Sequence, residues 1–200
     1  MENTVKTSEF SPEEGLKVIY EMIQTAKSNI GRNYFYSLLF GYLVLVTSLS
    51  DYVLITFFHY PAHYLVWPVL MGIGVFTAVV FAIRQKKIEH HKSFVGTFMW
   101  YLWSGWLISF LILMVFVNIE YFPVTTLALS MWGLAFFVSG GVIGFRPWII
   151  GAVIAWAGAI ISFFCPYTVG LLIEAGVALI SIIIPGYILR AQSKKESHVS

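Results

Sequence analysis

Three long apolar stretches, separated by short basic segments, dominate the pattern of the chain. They cover residues 33–83, 93–145 and 147–189. One helical crossing of the apolar core of a membrane, about 30 Å thick, needs roughly 20 residues, so each stretch is long enough for two crossings. The pattern therefore predicts an all-α membrane protein with six spans arranged as three helical hairpins: residues 33–57, 62–83, 94–118, 123–145, 148–164 and 167–189.

A different periodicity precedes the first stretch. Ser11 can cap a helix, Pro12 suits the first helical position, and Glu14 stands three residues after the cap. The apolar residues that follow recur every three or four positions and form one stripe on helix 12–31: Leu16, Ile19, Met22, Ile23, Ala26 and Ile30. This amphipathic helix either packs against the membrane surface or the bundle, or binds a cytoplasmic protein partner.

The basic residues indicate which way the chain points. All twelve lysines and arginines fall at residues 6–32, 84–92, 146 and 190–195. Six spans place every one of them on the same side, and the side that collects positive charge in short loops is the cytoplasm. We therefore expect a cytoplasmic N-terminal segment at 1–32, one transmembrane domain at 33–190 and a cytoplasmic tail at 191–200.

Composition supports the membrane class and excludes others. The chain is 58% hydrophobic and 11% charged, whereas soluble domains carry about 25% charged residues. The expected surroundings are thus a lipid bilayer, and a net charge of +2 on the cytoplasmic face gives no support for nucleic-acid binding. The chain begins without the apolar core of a cleaved signal peptide, so the first span is expected to be retained.

Small residues predict where helices approach closely. Gly140 and Gly144 form a G-x-x-x-G pair, and Gly151, Ala155 and Gly158 form a similar face on the next span. We expect these two spans to pack as a tight antiparallel pair. The same pattern can also support a homodimer, and the sequence leaves both interpretations open.

Glu174 is the clearest candidate for chemistry. An ionisable side chain within the apolar layer costs up to about 3 kcal/mol on insertion scales and is usually functional. Glu174 shares a helix face with Ala178, Ser181 and Pro185. Its carboxyl group can exchange a proton or bind a cation, or it can hydrogen-bond a neighbouring span in a purely structural role.

Four further ionisable residues are expected on the outer half, where no lysine or arginine accompanies them: Asp51, His59, His63 and Glu120. Histidine and carboxylate side chains are ordinary ligands of divalent cations. Pro61, however, separates the two histidines and disfavours a continuous helical pair. A metal site therefore competes with the simpler interpretation that these residues face water.

Motifs of catalysis and cofactor binding are absent from the sequence. There is no Gly-rich phosphate loop, no G-x-S-x-G elbow and no H-E-x-x-H motif. No span has a central histidine that would ligate haem. Trp100, Trp103 and Trp106 recur every three residues and predict a packing ridge with Phe110. We expect no cofactor and no catalytic residues, and an enzyme is the least favoured class.

Residues 33–45, NYFYSLLFGYLVL, follow directly on the amphipathic helix. This opening resembles that of small, uncharacterised bacterial integral membrane proteins. The likeness covers the first quarter of the chain and implies a bacterial inner-membrane setting, with no activity attached.

These features predict a non-catalytic interaction, sensing or scaffold component that acts through the N-terminal helix. The alternative is a small transporter or channel for a proton, cation or small solute that uses Glu174.

Overall fold

A computed structural model describes residues 34–86, 94–116 and 123–197. Within these ranges all regular structure is helical. A 3-10 turn, His63–Leu65, precedes the second helix, and a π-helical turn, Leu179–Ile183, joins the last two. The helices are α1 Tyr34–Thr56, α2 Val66–Lys86, α3 Phe94–Phe116, α4 Val124–Ile143, α5 Arg146–Phe163, α6 Tyr167–Ala178 and α7 Ile184–Ser197.

The all-α structure predicted from the sequence is confirmed for the described residues. Five helical segments among them are long and apolar enough to cross a membrane: Tyr34–Thr56, His63–Arg84, Val124–Ile143, Arg146–Phe163 and Tyr167–Gln192. Helix α3 contains a shorter apolar segment, Gly96–Ile112, so the count of six spans stays a prediction. The N-terminal amphipathic helix lies outside the described residues.

Prolines and one glycine fix several helix ends. Pro123 and Pro166 directly precede α4 and α6, and Pro147 occupies the first turn of α5, where the missing N–H of proline has no helical partner to lose. Gly144 ends α4 with a φ of 72°, a left-handed conformation that glycine adopts at little cost. Only Gly144 and Phe145 therefore separate α4 from α5.

Four helical segments form the centre of the bundle. Helices α4 and α5 make the most extensive contact, and α1 packs along the continuous α6–α7 segment. Helix α2 packs on α1, and α3 packs on α4. These two outer helices expose large apolar side chains such as Phe76 and Trp100, as a lipid-facing surface would.

The glycines that were predicted to join α4 and α5 do not all contact the same helix. A Cβ on Gly140 would lie 2.9 Å from the Ile149 side chain, so Gly140 packs on α5 as expected. Gly144 differs from the prediction, since a Cβ there would meet nothing within 4 Å and its role is to end the helix.

The small face of α5 also differs from the prediction. A Cβ on Gly151 would lie 2.9 Å from the Ser181 carbonyl oxygen, and one on Gly158 would lie 2.8 Å from Val177. With the fully buried Ala155, this face packs mainly on α6 and the π turn that follows it. The close approach of α4 and α5 depends instead on Gly140 and on Gly133, which accommodates the ring of Trp156.

The tryptophan ridge on α3 is only partly formed. Trp106 stacks on Phe110 at 5.2 Å, and Trp103 meets Phe136 edge-on at 5.5 Å. Trp100 is 69% exposed. A step of three residues rotates the side chain by about 300°, so a third tryptophan drifts off the buried face.

Candidate functional site

Asp51 is the centre of a buried polar cluster close to the end of α1. Its side chain is completely buried. The chain reverses direction after α1, with His59 at a φ of 49°, and then forms the 3-10 turn that leads into α2. This reversal brings His63 and Trp67 back against Asp51. We call this side of the bundle the Asp51 end, and the opposite side, with Arg84, Arg146 and Arg190, the basic end.

Three side chains hydrogen-bond the Asp51 carboxyl group. His63 Nδ1 lies 2.7 Å from Oδ1. Trp67 Nε1–H donates to Oδ2 at 2.9 Å, and the Tyr167 hydroxyl donates to the same oxygen at 2.8 Å. Hydrogen bonds to a carboxylate are about twice as strong as those between neutral groups. Asp51 therefore ties together α1, the start of α2 and the start of α6.

Aromatic rings surround this cluster, and one member reaches the surface. The ring centroid of Trp67 lies 6.4 Å from that of Phe110 on α3, and the rings of His63 and Tyr167 are 6.1 Å apart. The His63 side chain remains 20% exposed. His63 thus connects the buried carboxyl group with the outside of the bundle.

Glu174 lies deeper, two helical turns along α6 from Tyr167, which corresponds to about 10 Å at 1.5 Å per residue. It is only 1% exposed, and its Oε1 atom has no hydrogen-bond partner among the described residues. Glu174 and Asp51 lie on α6 and α1, two helices that pack directly against each other. The sequence contains no lysine or arginine between residues 147 and 189. Among the described residues, the Glu174 carboxyl group is therefore buried without an ion-pair partner.

Other buried polar atoms also have no partner in the part of the chain that the structure describes. We call them, together with Glu174 Oε1, the unpartnered set: the hydroxyls of Ser48, Ser139 and Ser181 and the indole nitrogens of Trp106 and Trp148. Ser48 lies one turn from Asp51 on α1, and Ser181 lies two turns beyond Glu174. Buried polar atoms without partners are uncommon and point to water, an ion or a functional role.

The helix that carries Glu174 is irregular at Ser181. Leu179–Ile183 forms a π turn in which the Ile184 N–H donates to the Leu179 carbonyl. Pro185 contributes to this irregularity, because it has no N–H for the Ser181 carbonyl and its ring would crowd that carbonyl in a regular α-helix. The Ser37 hydroxyl instead donates to the neighbouring Ile182 carbonyl at 3.1 Å. π turns occur often at functional sites.

The structure brings together some of the residues predicted from the sequence and separates others. Asp51, His63 and Glu174 lie at one site, with Ser181 on the same helix face as Glu174, whose side chain faces the bundle interior. His59 is exposed on the turn and apart from the cluster. Glu120 and the stripe of the N-terminal helix lie outside the described residues. No group of three or more His, Cys, Asp or Glu among the described residues could hold a metal ion.

Sequence reasoning missed Tyr167, Trp67 and Ser48. A signal existed for the first two: Tyr167 stands seven residues before Glu174 and so shares its helix face, and Trp67 stands four residues after His63. Aromatic residues near span ends are also typical of membrane interfaces, which hides their role as hydrogen-bond donors to an acid.

A second polar cluster lies between α4 and α5 and has a different character. The hydroxyls of Thr125 and Ser162 share a hydrogen bond of 2.7 Å, and Thr126 approaches Ser162 at 3.3 Å. Nearby, Trp156 Nε1–H donates to the Ser130 carbonyl at 3.2 Å. We call Thr125, Thr126 and Ser162 the closed cluster, because its hydroxyls bond to one another.

Fold and site together define a class: an all-helical bundle with helices of membrane-spanning length and a buried pair of acids at one end. Comparison of the chain with protein-family models, curated proteins and solved structures found no match.

Proposed function

We propose that the protein moves a proton, cation or other small solute across a bacterial cytoplasmic membrane, with Glu174 as the group that takes up and releases the transported species. The observation that carries this proposal is the burial of Glu174 within an apolar helix with one carboxyl oxygen unpartnered. In the proposed arrangement six spans cross the membrane and both termini lie in the cytoplasm.

A purely structural role for Glu174 is less well supported. A structural acid is expected to be hydrogen-bonded, as Asp51 is by three donors, because a buried polar group without a partner costs about 1–3 kcal/mol. Glu174 lacks such a partner at Oε1 among the described residues. An acid kept at this cost inside a span is by default a functional group.

The tight packing of the helices around the site favours a carrier over a permanently open channel. A Cβ on Gly41 of α1 would lie 2.8 Å from Ile183, and one on Gly186 would lie 2.9 Å from Leu38. Between the two acids and the basic end, α1 and the α6–α7 segment are therefore in direct contact. Passage along this interface requires the helices to move, as in alternating access.

The distribution of charge supports the proposed orientation. Arg84, Arg146 and Arg190 all lie at the basic end, which the positive-inside rule assigns to the cytoplasm. The Asp51 end then faces outward, and His63 is exposed on the outer side.

Partner binding through the N-terminal helix, the other function expected from the sequence, depends on residues that the structure does not describe and stays a prediction. It requires that a chain lacking residues 1–30 still inserts but no longer associates with a cytoplasmic protein. Retained association after this deletion would rule it out. Homodimerisation through the glycine faces likewise stays a prediction.

The proposal is tested by ion flux into liposomes that contain the purified full-length protein. We expect Glu174→Gln, which keeps the shape of the side chain and removes its exchangeable proton, to lower proton, sodium or potassium flux by about tenfold or more. Glu196→Gln, the same change beyond the apolar part of the last helix, serves as the control and should keep wild-type flux. Unchanged flux in a folded Glu174→Gln variant would contradict the proposal.

A further inference from the structure

We infer that the transported species is a proton, and that it reaches Glu174 from the Asp51 end through His63, Asp51 and Tyr167. This inference rests on the proposed function and narrows it. It is based on the kinds of atoms that surround the two acids and on the order in which the side chains follow one another from the surface inward.

The neighbours of Asp51 argue against a metal cation. A cation such as Na⁺ or Ca²⁺ needs several oxygen atoms that accept, typically about six for calcium. Both Asp51 oxygens are already occupied by the N–H and O–H donors of Trp67 and Tyr167 and by His63 Nδ1. A cation on Asp51 would displace these donors and leave buried N–H and O–H groups without acceptors. A proton can pass through the same hydrogen bonds without displacing them.

The side chains form a sequence from the surface to the buried acid. His63 is partly exposed and lies 2.7 Å from Asp51 Oδ1, and the Tyr167 hydroxyl lies 2.8 Å from Asp51 Oδ2. Tyr167 precedes Glu174 by two turns on the same face of α6. His, Asp and Tyr side chains can each gain and lose a proton, whereas the indole N–H of Trp67 only donates. Trp67 is therefore a positioning residue.

Few other ionisable groups among the described residues are near this path. Tyr64, on the same turn as His63, has its ring centroid 5.9 Å from the His63 ring, and His59 is exposed on that turn. No lysine or arginine occurs in the sequence between residues 33 and 83 or between 147 and 189. In the described part of the chain, His63 is the sole basic side chain within ion-pair distance of Asp51. Within that part, a proton that enters at His63 therefore meets no lysine or arginine before Glu174.

One proton moves from the outer surface to Glu174 in the following steps. Hydronium at the outer surface protonates His63 Nε2 and leaves water, and the Nδ1 proton passes to Asp51 Oδ1. The Asp51 carboxyl group then rotates so that its protonated oxygen faces Tyr167. Tyr167 gives its hydroxyl proton to the Glu174 carboxylate through a chain of water molecules and takes the Asp51 proton at its own oxygen in the same step. Asp51 and Tyr167 return to their starting states, His63 is left as the other neutral tautomer, and Glu174 carries the proton. A chain of water molecules is needed because Tyr167 and Glu174 lie about 10 Å apart along the helix.

The experiment compares proton flux with sodium and potassium flux in liposomes that hold a pH-sensitive dye. Tyr167→Phe keeps the ring and removes the hydroxyl, and His63→Gln keeps a hydrogen-bond donor for Asp51 and removes the exchangeable ring. We expect each to lower proton flux by about tenfold or more. The matched control is Tyr42→Phe, because the Tyr42 hydroxyl bonds to Tyr187 on the exposed surface at 2.8 Å, away from the path. It should keep wild-type flux.

The outcomes separate this inference from the proposed function. Wild-type proton flux in Tyr167→Phe and His63→Gln, while Glu174→Gln abolishes flux, would overturn the path and leave the proposed function intact. Sodium or potassium flux that depends on Glu174, without proton flux, would show that the transported species is not a proton. The broader proposal of transport through Glu174 would then still hold. If no ion shows flux that depends on Glu174, both the proposed function and the proton path are contradicted. His63→Gln keeps the test decisive if Tyr167→Phe fails to fold.

Discussion

The Asp51–Glu174 pair and the closed cluster occupy the same end of the bundle but satisfy their polar groups differently. In the closed cluster, hydroxyls of α4 and α5 bond to one another at 2.7 and 3.3 Å. In the acid pair, Asp51 is saturated by three neighbours while Glu174 Oε1 has no partner among the described residues. Both clusters are buried, so burial alone does not explain the difference.

This difference in hydrogen bonding distinguishes a structural polar contact from a site that is free to bind a ligand or proton. Hydroxyl pairs between helices stabilise a membrane bundle by about 0.6 kcal/mol on average, and they require no further partner. A carboxyl group with an unpartnered oxygen costs stability instead. Its retention two turns along α6 from Tyr167, a donor to the saturated Asp51, is more readily explained by a ligand or proton that comes and goes.

The largest expected effect on stability comes from Asp51→Ala. This substitution leaves the buried donors of Trp67 and Tyr167 without an acceptor and removes the partner of His63. We expect the free energy of unfolding in mild detergent to fall by about 3–5 kcal/mol. A loss below about 1 kcal/mol would mean that Asp51 does not tie the three segments together.

The next effect concerns Gly170, where the helix of Glu174 touches the closed cluster. A Cβ on Gly170 would lie 2.6 Å from Thr125 Oγ1, so Gly170→Ala should destabilise the protein by about 1–3 kcal/mol through overpacking. Gly176→Ala on the same helix is the control, because a Cβ there meets nothing within 4 Å. Its expected effect is zero or slightly stabilising. Equal losses for the two variants would contradict the described contact.

The smallest effects give the sharpest comparison between the clusters. Ser162→Ala removes a hydroxyl that bonds to Thr125 and should cost about 1 kcal/mol. Ser181→Ala removes a buried hydroxyl without a partner among the described residues and should cost nothing or stabilise the protein slightly. Thermal unfolding of the two variants checks this contrast. A larger loss for Ser181→Ala than for Ser162→Ala would show that Ser181 has a structural partner.

The sequence predicted most helix positions and only part of the site. Apolar stretches and prolines place α4 at Val124–Ile143, close to the predicted 123–145, and α5 at Arg146–Phe163. The start of α2 was predicted at residue 62, whereas a 3-10 turn delays it to Val66. The 3-10 turn places His63 and Trp67 within hydrogen-bond distance of Asp51. Hydropathy does not predict this turn.

Contacts between helices distant in sequence were the harder part. The helical spacing of Glu174, Ala178 and Ser181 predicted one common face, and all three are buried. The approach of Tyr167 to Asp51 could not be predicted, because it depends on α6 lying beside α1 rather than on either segment alone. Gly144 shows the opposite case, since a motif typical of packing marks a helix end where α4 stops and α5 starts.

The two-residue connection at Gly144 and Phe145 has a mechanical consequence. Helices joined so closely, and locked by the ring of Trp156 against Gly133, have little freedom to slide or tilt separately. The proposed transport, which needs Glu174 to be exposed first to one side of the membrane and then to the other, would therefore require α1 and the α6–α7 segment to move. In such a cycle α4 and α5 would form the fixed part of the bundle, against which the helices that carry the two acids tilt.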